Sequence, residues 1–214
     1  MERSSGRIAV WAILAATMIF AAGCSAKTKG DSVSASQPIE TQPTMGSSQT
    51  TQSAGAPAMP QAAKNLARFG FTVLSQPVPL GVFVAQGLGG NSIDLATEKG
   101  KVVVINFWAT WCPPCREEMP SLESLWNKEK SKNFGMVAIS YHEPVPTVST
   151  FIKQNPYSFP IAVDPDGKIG DEFVGSGIPT SYIVDRNGDV VAGRIGGLDW
   201  SSPEVVSGLE ALMK

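Results

Sequence analysis

The residues best suited to chemistry are Cys112 and Cys115, separated by Pro113 and Pro114. Two thiols at this spacing can close a disulfide and carry two electrons, or supply half of a tetrahedral metal site. The apolar run Val102 to Phe107 leads into the pair and reads as a buried strand, and an amphipathic helix follows. The cysteines therefore fall where a strand hands over to a helix N-terminus, whose free N–H groups and dipole favour a thiolate over a thiol. Cys112, at the helix start, is the expected nucleophile, and Cys115, one turn further in, is expected to be buried and to resolve the mixed disulfide. The two intervening prolines stiffen the loop without adding charge.

Three readings compete at this point. A zinc site needs two further ligands, and with Cys24 set aside only His142 and carboxylates remain. A purely structural disulfide suits an oxidising compartment, but a bridge across so short a loop restrains little of the unfolded chain. Redox exchange fits the strand-to-helix position best. Bulk composition excludes other classes. A net charge of −2, with 17% charged residues and no lysine or arginine cluster, gives nothing to hold a nucleic-acid backbone.

Cys24, the third cysteine, has its own setting. Arg3 and Arg7 precede an apolar run from Ile8 to Ala22. The run is shorter than the roughly 20 residues a membrane span needs and suits a signal-peptide core. It ends in Ala21-Ala22-Gly23-Cys24, which resembles a bacterial lipoprotein signal in which the cysteine is lipidated and becomes the first mature residue. Residues 1–23 are thus expected to be a signal peptide, and lipidation would remove Cys24 from disulfide chemistry. Residues 24–76 are expected to be mostly a disordered tether, rich in Ser, Thr, Gln, Gly and Pro as far as Ala63. Its mean reach would be about 35 Å.

Within the tether, Ala62–Phe69 reads as a short helix stopped by Gly70, and Phe71–Leu74 as a strand that Pro77 and Pro79 keep short. Val82–Val84 and Ser92–Leu95 then read as a hairpin around Gly87-Leu88-Gly89-Gly90-Asn91. After the central strand, the helix beyond the cysteines carries Met119, Leu122, Leu125 and Trp126 on one face, with Pro120 expected to kink it. A strand over Phe134–Tyr141, a helix over Thr147–Lys153 and a short strand near Phe159–Val163 follow. Ser181–Val184 and Val190–Ile195 form a hairpin across Asp185–Asp189, and a helix capped by Ser202 starts at Pro203. Alternating strands and helices in the middle with hairpins outside predict one α/β domain over residues 77–214, with a mixed sheet covered by helices on both faces.

The segment from Phe107 to Cys115 resembles the active-site stretch of the thioredoxin superfamily. It is most similar to the membrane-attached TlpA/ResA-type thiol-disulfide oxidoreductases, which include cytochrome c maturation proteins. Gly177-Ile178-Pro179-Thr180 is similar to that family's cis-proline segment, and Tyr182–Gly188 resembles the hairpin after it. The resemblance implies a thioredoxin-like fold, a cis Pro179 packed against the cysteines, and Ile178 offering its backbone to a substrate chain. Trp111, Pro113, Ile178 and Pro179 would together contact substrate. Glu118 matches a glutamate held to exchange protons near the second cysteine in ResA-like members, and partial burial would raise its pKa. Asn106 stands where thioredoxin has a buried aspartate, so Glu118 is the available substitute. His142 reads as a solvated loop residue and Trp108 as packing.

The expected function is reduction of disulfides in exported proteins, such as apocytochrome c, by a lipid-anchored monomer on the outer face of a bacterial membrane. The Cys112/Cys115 disulfide would be its only redox group, with no metal or added cofactor, and a membrane protein would supply electrons. The rivals are a thiol peroxidase, for which the Pro-x-x-x-Thr-x-x-Cys pattern is missing, and a non-catalytic lipoprotein that binds a partner.

Overall fold

The computed structural model describes residues 61–214, so the expected signal peptide, Cys24 and the tether up to residue 60 lie outside the described residues. Its centre is β4 (Val102–Trp108), in which every residue is buried. A strand covered on both faces reads as an unbroken apolar run, as this one does. β4 is parallel to β5 (Phe134–Tyr141) and antiparallel to β7 (Thr180–Val184). Beyond β5 lie β6 (Ile161–Asp164) and the hairpin β2 (Val84–Gly87) and β3 (Ser92–Asp94). Beyond β7 lie β8 (Asp189–Ile195) and β1 (Thr72–Pro79), giving an eight-stranded mixed sheet in the order β1-β8-β7-β4-β5-β6-β2-β3.

Alternate residues of β4 feed two cores. Val102, Val104 and Trp108 pack with Cys115, Met119, Leu122 and Leu125 of α2 (Pro113–Glu129), with Val148 of α3 (Val145–Gln154) and with α5 (Pro203–Leu212). Val103, Ile105 and Phe107 face the other way, towards Phe83, Leu95 and Phe173 of the one-turn helix α4 (Gly170–Phe173). The three longest helices thus cover one face, and short segments close the other. α2 runs through Pro120 to Glu129 as one helix.

The folded unit starts earlier than residue 77. α1 (Gln61–Asn65) and a 3-10 turn over Leu66–Phe69 place Ala63 and Leu66 at 0% exposure in the main core. Gly70, at φ 74°, then turns the chain into β1. The polar run after Cys24 hides this segment, because only a few apolar residues anchor it. β1 also continues through Pro77 and Pro79, against the short strand that the prolines predict. It is an edge strand beside β8: Pro77 lies where the register slips between Val73 and Val78, and beyond Pro79, which faces Asp189, the Leu80 N–H resumes pairing with the Gly188 carbonyl.

The first hairpin is shifted by two residues, leaving Val82 outside β2 and 95% exposed. The second is held as its sequence predicts: the Asp185 carboxylate accepts from the N–H groups of Asn187 and Asp189, and Gly188 adopts φ 90°. Ser202 stands at the cap of α5 but its side chain makes no cap bond. Leu66→Ala should lower unfolding stability by about 2–5 kcal/mol in a urea titration. A change below about 0.5 kcal/mol would show that residues 61–69 are not part of the cooperative unit.

Candidate active site

β4 delivers the chain to Ala109, and α2 begins at Pro113, where a fixed proline φ suits the first helical position. Cys112 is the residue between them and caps the helix with its sulfur, which accepts the Cys115 N–H at 3.3 Å. Cys112 and Cys115 form a disulfide with Cα atoms 5.3 Å apart. Neither sulfur-bearing residue is open: Cys112 is 3% and Cys115 0% exposed. The expected difference in exposure is therefore small in this oxidised state, both residues being buried.

The loop from β6 to β7 closes over this bridge. Ile178–Pro179 is a cis peptide, Pro179 is buried, and the Ile178 carbonyl oxygen lies 3.7 Å from Cys112 Sγ. Trp111 is 65% exposed beside Cys112, and Pro113 is also exposed, so both can meet an approaching chain. Trp108 is fully buried and packs against Phe151 at a centroid distance of 5.4 Å, as a core residue.

Glu118 lies one turn beyond Cys115 on the buried face of α2 and is 4% exposed. Residues three apart on a helix are neighbours, with Cβ atoms about 5–6 Å apart. Asn106 Nδ2 donates to Glu118 Oε1 at 2.8 Å, while Leu198 N–H at 3.0 Å and Trp200 Nε1 at 3.3 Å donate to Oε2. Burial pushes the Glu118 pKa up to about 7, against the opposing pull of these donors and of the Arg194 charge. A groove of about 650 Å³, lined by Pro114, Glu117, Ser121, Leu198 and Asp199, leads from solvent to this carboxylate. Glu118 can therefore exchange a proton with water on one side and lie beside Cys115 on the other.

Several site residues carry no sequence signal. Ser121 Oγ accepts Trp200 N–H at 3.0 Å and so ties α2 to the loop that supplies Glu118's partners. Glu143 is 3% exposed and accepts from Thr110 N–H, the Thr110 hydroxyl and the Ser140 hydroxyl. It pins the loop two residues before Cys112 from the end of β5. Its neighbour His142, with φ 57° and an exposed ring 3.1 Å from the Asp171 carboxylate, turns the chain so that Glu143 points inwards. Among the described residues no group of three or more His, Cys, Asp or Glu is placed to hold a metal ion.

The redoxin family profile matches residues 73–212. The chain belongs to the redoxin family. Within the thioredoxin superfamily it is of the TlpA/ResA type. It is 40% identical over 114 residues to the thiol-disulfide oxidoreductase ResA of Bacillus cereus, a match covering 53% of this chain and 66% of that protein. It is 35% identical over 109 residues to ResA of Bacillus subtilis (strain 168), covering 51% and 61%. The chain thus spans just under two thirds of the length of these relatives. Among solved structures, StoA from Bacillus subtilis superposes with a TM-score of 0.53 at 28% identity, covering 61% of this chain and 99% of that one. A thioredoxin-family thiol:disulfide interchange protein from Chlorobium tepidum TLS gives 0.59 at 26%, covering 66% and 99%.

Two outcomes follow from the buried carboxylates. Glu118 binds its proton more tightly when folded, so its contribution to stability is complete below pH 4.5 and is lost as pH rises to about 7. Wild type should lose on the order of 3 kcal/mol across that window relative to Glu118→Gln, measured by urea unfolding at each pH. Parallel curves would place the Glu118 titration elsewhere. Glu143→Leu strips the acceptor from three donors and should destabilise the chain by about 2–3 kcal/mol, read as a lowered melting temperature.

Proposed function

We propose that this chain is an extracytoplasmic thiol-disulfide oxidoreductase that reduces disulfides in exported proteins. The observation that carries the reading is the Cys112–Cys115 disulfide at the start of α2, closed over by Ile178 and the cis Pro179, with a buried glutamate one turn behind. The relatives named thiol-disulfide oxidoreductase ResA support it.

In the reduced chain, the Cys115 N–H and the α2 dipole stabilise a Cys112 thiolate. That thiolate attacks a substrate disulfide, forming a mixed disulfide and releasing one substrate thiolate, which takes a proton. Cys115 then passes its proton to Glu118, and the new thiolate attacks Cys112 Sγ. The second substrate thiolate leaves and is protonated, so two electrons have moved to the substrate and the Cys112–Cys115 bridge is restored. Burial suits Glu118 to this work, because a carboxyl titrating near 7 can accept and return a proton at neutral pH. The Ile178 backbone and the exposed Trp111 and Pro113 would align the substrate chain at Cys112.

The cysteine pair is the only redox group this reading requires. A membrane-held dithiol protein would return the two electrons and two protons. The apolar run Ile8–Ala22 and the sequence ending in Cys24 support export and a lipid anchor, and apocytochrome c is a candidate client. A monomer suffices, because one chain contributes every group named.

Substrate trapping in the parent bacterium tests the reading. Cys115→Ser should accumulate mixed disulfides on Cys112, whereas Cys112→Ser should not. Equal trapping by both variants, or the lack of a reversible two-electron couple in wild type, would sink it. Consumption of peroxide by the reduced chain at a rate exceeding disulfide reduction would favour the peroxidase instead.

A further inference from the structure

The polar group beneath α2 includes one atom that does nothing in the arrangement described above. Asn106 is fully buried on β4, and its Oδ1 has no hydrogen-bond partner. Both of its amide hydrogens are used: Nδ2 donates to Glu118 Oε1 at 2.8 Å and to Ser181 Oγ at 2.9 Å. Ser181 is the direct cross-strand partner of Asn106 on β7 and is itself 3% exposed. An acceptor left unpaired in a dry core is rare, and it calls for a second arrangement in which it is used.

That second arrangement follows from the chemistry of the three groups. A side-chain amide has two donor hydrogens on one side and two acceptor lone pairs on the other. A hydroxyl donates or accepts by turning its hydrogen, and a carboxyl does one or the other according to its proton. With Glu118 ionised, the amide must present its NH2 to the carboxylate, and Ser181 accepts the other hydrogen. With Glu118 protonated on Oε1, the NH2 would face an O–H donor. Turning the amide by half a revolution then presents Oδ1, which can accept from Glu118 and from the Ser181 hydroxyl together. In each arrangement one end of the amide is unpaired, so the two are matched in what they leave unsatisfied. An aspartate at 106 could serve only the protonated state, and an alanine neither.

We propose that Asn106 is a positioning residue for the proton of Glu118: its amide turns over each time Glu118 gains or loses a proton, with Ser181 reversing its own hydrogen bond in step. The inference rests on the thiol-disulfide reading for its purpose, since the proton in question is the one Cys115 gives up. Its geometry stands apart from that reading. The other ionisable groups facing Glu118 are Arg194 on β8, whose charge favours the ionised form, and Glu117 and Asp199, which line the groove. Oε2 keeps its donors from Leu198 and Trp200 in both states, so the proton is directed to Oε1 and to Asn106. Burial raises the Glu118 pKa to about 7, and the Asn106 hydrogen bond opposes that rise.

The test is NMR on the full oxidised chain, labelled with nitrogen-15 and carbon-13, following the Glu118 carboxyl carbon and the Asn106 side-chain amide from pH 5 to pH 9. Above the Glu118 midpoint, the Asn106 amide protons should show cross-peaks to the Ser181 β and Glu118 γ protons. Below the midpoint those cross-peaks should disappear, with the same midpoint as the carboxyl carbon. Glu118→Gln, which keeps a donor facing Asn106, should show the acid pattern at every pH. Asn106→Leu should move the Glu118 midpoint up by about one pH unit, because the ionised form loses the stronger of the two hydrogen bonds. Cross-peaks that persist unchanged through the carboxyl titration overturn the proposal, and the wild-type experiment decides this whether or not either variant folds. An assay of disulfide reduction on the same sample separates the two claims. Exchange activity with a fixed amide removes the role of Asn106 alone, whereas a turning amide in a chain that reduces no disulfide removes the functional reading alone.

Discussion

The carboxyl of Glu118 is held almost out of solvent at the inner end of a groove, and separate parts of the domain dock to supply its hydrogen bonds. Desolvation opposes the carboxylate, while Asn106, the Leu198 N–H and Trp200 support it. One donor comes from β4 and two from the loop after β8, so the electrostatics of one side chain depend on how β4, α2 and that loop dock. Trp200 illustrates the linkage. It donates to Glu118 and also takes the edge of Phe71 at a centroid distance of 5.9 Å, so the segment preceding β1 helps to fix a group beside the cysteines. Arg194 adds a second tie, donating to the carbonyl oxygens of Phe69 and Gly197.

The two cysteines depend on a different support. Their position is fixed by backbone: β4 ends, one loop turns, and α2 starts at a proline. Glu143 holds the middle of that loop from below, and the Ile178–Pro179 segment holds Cys112 from above. The Glu143 carboxylate accepts three hydrogen bonds, two from Thr110 and one from Ser140. Glu143 and Glu118 are thus two buried glutamates with different tasks. One is saturated with donors and anchors a loop, and the other is poised between states.

How much of this the sequence discloses depends on the range of the interaction. The central strand, the cysteine helix and the hairpin at Asp185–Asp189 are written in local periodicity and turn chemistry, which give the α/β class, while the thioredoxin-like fold is read through the family resemblance. The cis-proline segment becomes readable only through its likeness to a known family. Residues 61–76 are hidden because their polar composition outweighs the few residues, Ala63, Leu66 and Phe71, that anchor them. Glu118 is visible through its spacing from Cys115, but the groups that set its behaviour are not. Ser181 and Trp200 are remote in sequence and follow no motif, and Glu143 looks like any loop carboxylate until it is seen beneath Thr110.

That remoteness bears on how the protein comes into being. Leu198 and Trp200 follow Glu118 by 80 and 82 residues and lie just before the final helix. As the chain emerges in order, both thiols and the acid beside them arrive well before the groups that hold that acid. Until the stretch from Leu198 onward has folded back, Glu118 lacks two of its three hydrogen-bond donors. The hydrogen-bond shell beside the dithiol is therefore completed last, when the chain just ahead of the final helix docks.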